Sequence, residues 1–326
     1  MTSSKRTSTA DLTLDGFGGW SGVLSDLVAG VDLTPAAARA ALGSILQGEA
    51  TDAQVAGFII ALGMKGGSVL ELTGLVEAMM DAAAPLNLPR GTIDIVGSGG
   101  APSRRNHALS VSTMACFVAS AAGAAVCKHG SVAASSSSGS FDTLAMLGLA
   151  INLDGTQVTQ CVEEVGLGFA FAKNFHPAMR FVGPVRKKIG KRTIFNMIGP
   201  LSNPALVDRQ VIGVFDKKLL KIFAEGLRNL HIKFAWIVNS EDGLDEISPY
   251  AKTNVIQLKN GIISEIIIDP KSINVNAEKF ENLIGDDANF NADKMIEIFK
   301  GKDNDFSKAV CLNAAAGLIV NEKYSE

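Results

Sequence analysis

The sequence is poor in the features that would assign it quickly. Its four cysteines, Cys116, Cys127, Cys161 and Cys311, are far apart and form no C-x-x-C pair. That disfavours a zinc ribbon and a disulfide framework, and fits a reducing compartment. No apolar run is long enough to span a membrane. The most apolar stretch, Ala115 to Val126, is mostly Ala, Gly and Ser, against the roughly 18 apolar residues that a span needs. Neither sign of charge dominates: 30 Lys plus Arg against 33 Asp plus Glu leave a net charge of −3, so no global nucleic-acid footprint is expected. Lys5 and Arg6 are followed by Asp11 and Asp15 instead of an apolar signal core. There is no internal repeat, and Ser135 to Ser138 is the only low-complexity run. A soluble, cytoplasmic protein with a flexible segment over residues 1–22 is expected.

What is present reads as a globular chain. With 326 residues, 47% hydrophobic and 19% charged, it has room for one large domain or two and is too apolar for disorder. The first hundred residues predict short antiparallel helices. Thr34 caps one, with Pro35 at its first position. Thr51 with Gln54, and Ser68 with Glu71, form capping boxes. Val55, Phe58, Ile59 and Leu62 make one buried stripe, and Val69, Leu72, Leu75, Val76 and Met79 another, ended by Pro85.

The pattern changes at Thr92. A strand over 92–96 runs into Gly97-Ser98-Gly99-Gly100, followed by a small-residue helix over 112–122 and a second strand over 124–128. Strand, loop, helix and strand predict a parallel α/β sheet. Further strands are expected at 210–215, 234–239, 254–258 and 262–268, with a helix carrying Leu219, Leu220, Phe223, Leu227 and Leu230. Lysine rises from 4 in residues 1–180 to 16 in 181–326, and asparagine from 4 to 14. The α/β pattern crosses that boundary, so a domain junction does not explain the shift. Differing surface exposure and a joined chain both do.

Four segments could carry chemistry. The glycines after the first strand let a backbone approach a phosphate, with Arg104 and Arg105 close behind; an ordinary Gly-rich turn is the plainer account, since neither a Rossmann nor a Walker pattern is complete. Lys128-His129-Gly130, then Ser131, Val132 and a serine run to Ser140, present hydroxyls, N–H groups and one point charge; a merely flexible serine loop is the alternative. His176 is followed ten residues later by Arg186 in a basic stretch, which by default is a solvated helix face. Asp242-Gly243-Leu244-Asp245-Glu246 places carboxylates just past a strand, where a hard cation such as Mg²⁺ is well served and a plain acidic turn is the other reading.

Taken with His176-Pro177-Ala178-Met179-Arg180, Thr193-Ile194-Phe195-Asn196 and Gly199-Pro200-Leu201-Ser202-Asn203-Pro204, these segments resemble one family from about Leu24 to the C-terminus. It is that of the anthranilate phosphoribosyltransferases, pentosyltransferases of tryptophan synthesis. The resemblance implies an α/β fold in two domains: a small helical one over 23–88 with a later excursion at about 175–195, and a larger one over 89–326 with a central, mostly parallel sheet flanked by helices, like nucleoside phosphorylases. It implies that phosphoribosyl pyrophosphate is bound by Gly97, Ser98, Gly99, Gly100, Ser110, Ser112, Thr113, Lys128, His129, Gly130, Ser131, Ser135, Ser136 and Ser140. Anthranilate, near the hinge, falls to Gly97, His129, Ser131, His176 and Arg186, and Mg²⁺ to Ser112, Asp245 and Glu246. A homodimer joined through the helical domain is implied, with no covalent nucleophile and no nucleic-acid or membrane partner.

The departures from the family pattern concentrate in the phosphate-binding half. Ala101 stands where the family has Asp, Ser110 where it has Asn, Ser131 and Val132 where it has Asn-Arg, and Ser137 where Lys is frequent. The loop up to Ser112 is about three residues longer, and the chain stops about a helix early. These changes predict an enzyme that is slow, or rebuilt around Arg104 and Arg105. Three other functions fit parts of the pattern: a pyrimidine nucleoside phosphorylase, a catalytically silent relative binding another ligand or nucleic acid, and a structural dimer.

Overall fold

The computed structural model describes residues 13–99, 109–132, 139–278 and 280–324. They divide into two compact units, one made of the chain up to Ala83 and of His176–Ile198, the other of Ala84–Phe175 and Gly199–Glu326. Residues 84–88 belong to the second unit, where Leu86 is buried beside Cys127, Val158 and Phe175.

The first unit opens with α1 (Gly19–Val28), α2 (Pro35–Gln47), α3 (Asp52–Lys65) and α4 (Val69–Asp81). The expected caps are made: Thr34 accepts from Ala37 N–H, and the Thr51 and Ser68 capping boxes close in both directions. Each satisfies amide groups that the helix itself leaves unpaired. Ser68→Ala is expected to cost about 1 kcal/mol in urea-unfolding stability. Glu71 does more than cap. Fully buried, it also accepts from Leu33 N–H at 3.0 Å and pairs with Lys65 Nζ at 2.8 Å. The flexible segment expected over 1–22 needs correction from residue 14 on: Leu14–Phe17 form a 3₁₀ turn, and α1 starts at Gly19. The cause is tertiary, since Trp20 packs edge-on against Phe58 at 5.9 Å.

The second unit begins with β1 (Ile93–Gly97), α5 (Val111–Ala121), β2 (Val126–Gly130), α6 (Ser140–Met146), α7 (Gly155–Val165), β3 (Leu167–Phe171) and α8 (Ala172–Phe175). The chain returns to the first unit for α9 (Gly183–Ile189) and α10 (Phe195–Ile198). It then completes the second with β4 (Arg209–Gly213), α11 (Leu219–Asn229), β5 (Phe234–Ser240), β6 (Thr253–Lys259), β7 (Ile262–Ile268), α12 (Ala288–Phe299) and α13 (Asp305–Val320). The seven strands lie in the order β3-β2-β1-β4-β5-β6-β7, parallel through β5, with β6 and β7 antiparallel.

Four of the five parallel strands are almost wholly buried, as expected for strands covered on both faces, while β3 at the sheet edge is only partly so. One core joins Ile93, Ile95, Val211 and Trp236 of the sheet to Ala115, Cys116 and Ala119 of α5 and to Ala314, Ala316 and Val320 of α13. Helix α13 lies close on the sheet: a Cβ at Gly317 would stand 2.6 Å from Ile95 Cδ1. Its C-terminal end is held by Arg209, which donates to Val320 O at 2.7 Å and to the Glu322 carboxylate. Among the described residues no helix is long and apolar enough to cross a membrane.

Candidate active site

The strand order reverses between β1 and β4. From β1 the sheet runs outward through β2 on one side and through β4 on the other, so the loops at their carboxyl ends part over a crevice. Register pairs Gly97 with Gly213 at that edge. Over them lies the acidic loop that follows β5. A Cβ on Gly97 would come within 2.9 Å of Asp245 Oδ2, and one on Gly213 within 1.6 Å of Asp245 O. Only two residues without side chains let the acidic loop settle at the switch point. Gly99, at φ +68°, takes a left-handed turn that few other residues adopt, and its N–H donates to Asp245 Oδ2 at 3.2 Å.

Glu246 meets the first turn of α5. Its Oε1 accepts from Ser112 N–H at 3.1 Å, so a carboxylate sits at the positive end of the helix dipole. Ser112 Oγ in turn accepts from Lys128 Nζ at 3.3 Å, and the same ammonium donates to Ile95 O at 2.6 Å. Lys128 is therefore buried beneath the helix terminus. The point charge expected to face phosphates is thus also bonded to protein oxygens. Asp245, Glu246, Ser112 and Lys128 come together here, and Gly97 and Gly99 lie against them.

The other loop residues stand nearby in sequence with varied roles. Ser98 is buried: its N–H donates to Gly213 O at 2.7 Å and its Oγ accepts from Phe215 N–H at 3.1 Å. Ser110 lies 3.5 Å from Thr143 across the hydroxyls. Thr113 is buried, and its Oγ1 has no partner among the described residues. At the end of β2, His129 is buried, with its N–H on Asp94 Oδ2 at 3.3 Å. Ser131 O accepts from Phe141 N–H and Ser140 Oγ, while the Ser131 and Val132 side chains are exposed. Gly100, Ala101, Arg104, Arg105, Ser135, Ser136 and Ser137 lie outside the described residues.

His176 and Arg186 belong to the first unit. His176 is buried ahead of a 3₁₀ turn over Pro177–Phe181. Arg186 is not the solvated lysine-like side chain that its basic neighbours suggest. It is half-buried, with its guanidinium over the Phe195 ring at 5.1 Å and no carboxylate partner among the described residues. Burial pulls its pKa below the ordinary arginine value.

Sequence reasoning missed a buried polar knot under the site. Asp94 in β1 accepts from Asn203 Nδ2 at 2.8 Å, and Asn203 also donates to Cys127 O at 2.9 Å. Burial pushes the Asp94 pKa up to about 6, opposed by Lys128, Asn203 and the His129 N–H. Its Oδ1 has no partner among the described residues. A charged residue between Ile93 and Ile95 in an apolar strand was the available signal. Gly213 offered none, because only strand pairing sets it beside Gly97.

The donors present fit a hard divalent cation. Asp245 and Glu246 offer carboxylate oxygens anchored through backbone N–H groups, and Ser112, whose N–H holds Glu246, offers a hydroxyl. Among the described residues no group of three His, Cys, Asp or Glu side chains could hold a metal by itself. Such a site suits Mg²⁺, which keeps waters and binds through one or two carboxylates together with substrate phosphates.

Fold and site together define an α/β glycosyltransferase with a helical companion. Residues 90–326 match the model of the glycosyl transferase family a/b domain, and residues 21–83 that of its helical bundle domain. The chain is 58% identical over 294 residues to anthranilate phosphoribosyltransferase of Pelagibacter ubique, covering 90% of this chain and 88% of that one. Among solved structures it is similar to the anthranilate phosphoribosyltransferase of Thermus thermophilus, at 34% identity and a TM-score of 0.86 over 93% of this chain and 90% of that one. The Saccharomyces cerevisiae enzyme in complex with PRPP and Mg superposes with a TM-score of 0.79 at 25% identity, covering 98% of this chain and 90% of that one. The chain belongs to the anthranilate phosphoribosyltransferase family.

Proposed function

We propose that the protein transfers the phosphoribosyl group of phosphoribosyl pyrophosphate to anthranilate, releasing pyrophosphate. The observation that carries this reading is the acidic pair at the switch point: Asp245 and Glu246 are fixed by the N–H groups of Gly99 and Ser112, at the edge where a diphosphate would lie. When bound there, Mg²⁺ supplies positive charge to neutralise the departing pyrophosphate.

The residues of the chain do the rest. The glycine-rich loop after β1 and the hydroxyls of Ser112 and Thr113 lie against the phosphates, with the buried Lys128 charge below them. Arg186, stacked on Phe195, holds the carboxylate of anthranilate, because guanidinium pairs with carboxylate in a planar fork. The amine nitrogen lone pair then forms a bond to the anomeric carbon of ribose as its bond to pyrophosphate oxygen breaks, and the amine proton passes to water. An aromatic amine is neutral at pH 7, so positioning and charge stabilisation suffice. We place the reaction in a homodimer formed through the helical unit, in a reducing cytoplasm; the four free cysteines are consistent with that setting.

The test is loss of anthranilate fluorescence with phosphoribosyl pyrophosphate and Mg²⁺, beside rescue of a tryptophan auxotroph. No turnover and no rescue would favour the silent relative, and phosphorolysis of thymidine or uridine the nucleoside phosphorylase. Glu246→Gln is expected to raise the Mg²⁺ concentration for half-maximal rate by about tenfold. An unchanged requirement would make the acidic pair a simple turn.

A further inference from the structure

The acidic pair sits on a loop, yet a metal site needs its ligands held within a fraction of an ångström. Gly99 and Ser112 hold the two carboxylates themselves, and the backbone that carries them has a further anchor some seventy residues along the chain. Asn313, buried in the middle of α13, reaches the peptide groups on both sides of Ile247, directly after Glu246. Its Oδ1 accepts from Ile247 N–H at 3.0 Å and its Nδ2 donates to Ile247 O at 3.0 Å. The second amide proton goes to Ala309 O, one turn back on the same helix, at 2.9 Å. Every strong hydrogen-bonding group of the side chain is therefore used, and two of the three bonds clamp the acidic loop.

The helix that carries Asn313 has little freedom of its own. Gly317 lies against Ile95 of β1, and Arg209 of β4 donates to Val320 O. Asn313 thus refers the acidic loop to the same two strands whose ends bound the crevice. On the far side of the loop, Asp242 accepts from Leu244 N–H and from Ser248 Oγ, closing the turn locally. That turn is joined to the ends of β5 and β6 through Ser240 N–H on Leu244 O and Ser248 N–H on Thr253 Oγ1, whereas Asn313 joins the loop to α13.

We infer that Asn313 is a positioning residue for the reaction: by holding the Ile247 peptide groups it sets Asp245 and Glu246 where they bind the Mg²⁺ complex of the diphosphate. This rests on the reading of those two carboxylates as Mg²⁺ ligands. Two substitutions remove the clamp. Asn313→Leu keeps the branched outline without the hydrogen-bonding groups. Asn313→Ser puts in a hydroxyl that can bond the carbonyl one turn back in place of the amide, and serves as the deciding variant if the leucine protein does not fold. Asn321→Ala is the control: at the end of the same helix it loses a bond to Gly91 O, far along the chain from the acidic loop.

The measurement is calorimetric binding of phosphoribosyl pyrophosphate across a MgCl₂ titration, with thermal unfolding of each protein alongside. Removing groups that orient metal ligands typically weakens metal binding ten- to a hundredfold. The Asn313 variants are accordingly expected to need at least about tenfold more Mg²⁺ for half-maximal binding, with the KM for anthranilate within about twofold of wild type. Asn321→Ala is expected to lower the unfolding temperature and leave the Mg²⁺ requirement unchanged. A folded Asn313→Ser protein with the wild-type requirement overturns the inference. An equal shift in Asn321→Ala overturns it as well, by making the effect one of helix stability. A wild-type protein that binds phosphoribosyl pyrophosphate without Mg²⁺ removes the underlying metal reading and this inference with it; a Mg²⁺-dependent wild type beside an unshifted serine variant removes this inference alone.

Discussion

Ser131→Asn combined with Val132→Arg is expected to raise kcat/KM for phosphoribosyl pyrophosphate by about two to four powers of ten. The argument is one of missing donors. The family resemblance places Asn-Arg after Lys128-His129-Gly130, and here stand a short hydroxyl and an apolar side chain. A hydrogen bond to a charged group is worth roughly 1.5–3 kcal/mol, so two of them amount to about 3–6 kcal/mol. The structure makes the exchange clean. Both side chains are exposed at the carboxyl end of β2, and the contacts Ser131 makes to Phe141 and Ser140 run through its backbone carbonyl. Longer side chains at these positions displace nothing packed among the described residues. Steady-state kinetics with phosphoribosyl pyrophosphate varied at saturating anthranilate and Mg²⁺ would show the gain. Absence of a gain, together with a loss on replacing Arg104 and Arg105 by Ala, would mean that the loop is rebuilt around those arginines. No gain and no loss would bring the silent relative forward.

Arg186→Ala is expected to lower kcat/KM for anthranilate by roughly thirty- to a thousandfold, which corresponds to about 2–4 kcal/mol for a charge-assisted pair. The geometry sharpens this expectation. The guanidinium is half-buried and rests on Phe195, with no carboxylate among the described residues to neutralise it. A cation held in that way has already met part of its desolvation cost, so an incoming carboxylate meets an oriented, under-solvated partner. The loss falls on anthranilate, and the KM for phosphoribosyl pyrophosphate stays within about threefold. Arg186→Lys recovers little, because an ammonium cannot reproduce the planar fork or the ring stacking. Equal losses for both substrates, with a lowered unfolding temperature, would indicate disruption of the first unit instead.

Much of the architecture was determined by local sequence. Thr34, Thr51 and Ser68 announced three helices, because capping is a short-range contract between a hydroxyl and amides three residues on. The strand ending in Gly97, and the strands over Phe234–Ser240 and Ile262–Ile268, were legible as runs of apolar and β-branched residues. Strand β3 was not. A Cβ on Gly168 would stand 2.6 Å from Val162 Cγ2, so that glycine answers to close packing by α7 and carries no local strand signal. The acidic pair was visible as a motif, since two adjacent carboxylates after a strand are a local feature. What the motif needs in order to work was decided only by tertiary structure. Gly213 became necessary when β4 paired with β1, and Asn313 became a clamp when α13 lay across the sheet. Trp20 gave order to a start that looked flexible, by packing on Phe58. Local chemistry fixes caps, periodicity and the residues able to bind a phosphate or a metal. Which distant residues hold them in place follows from strand order and helix packing, where contacts form between positions whose separation along the chain carries no pattern to read.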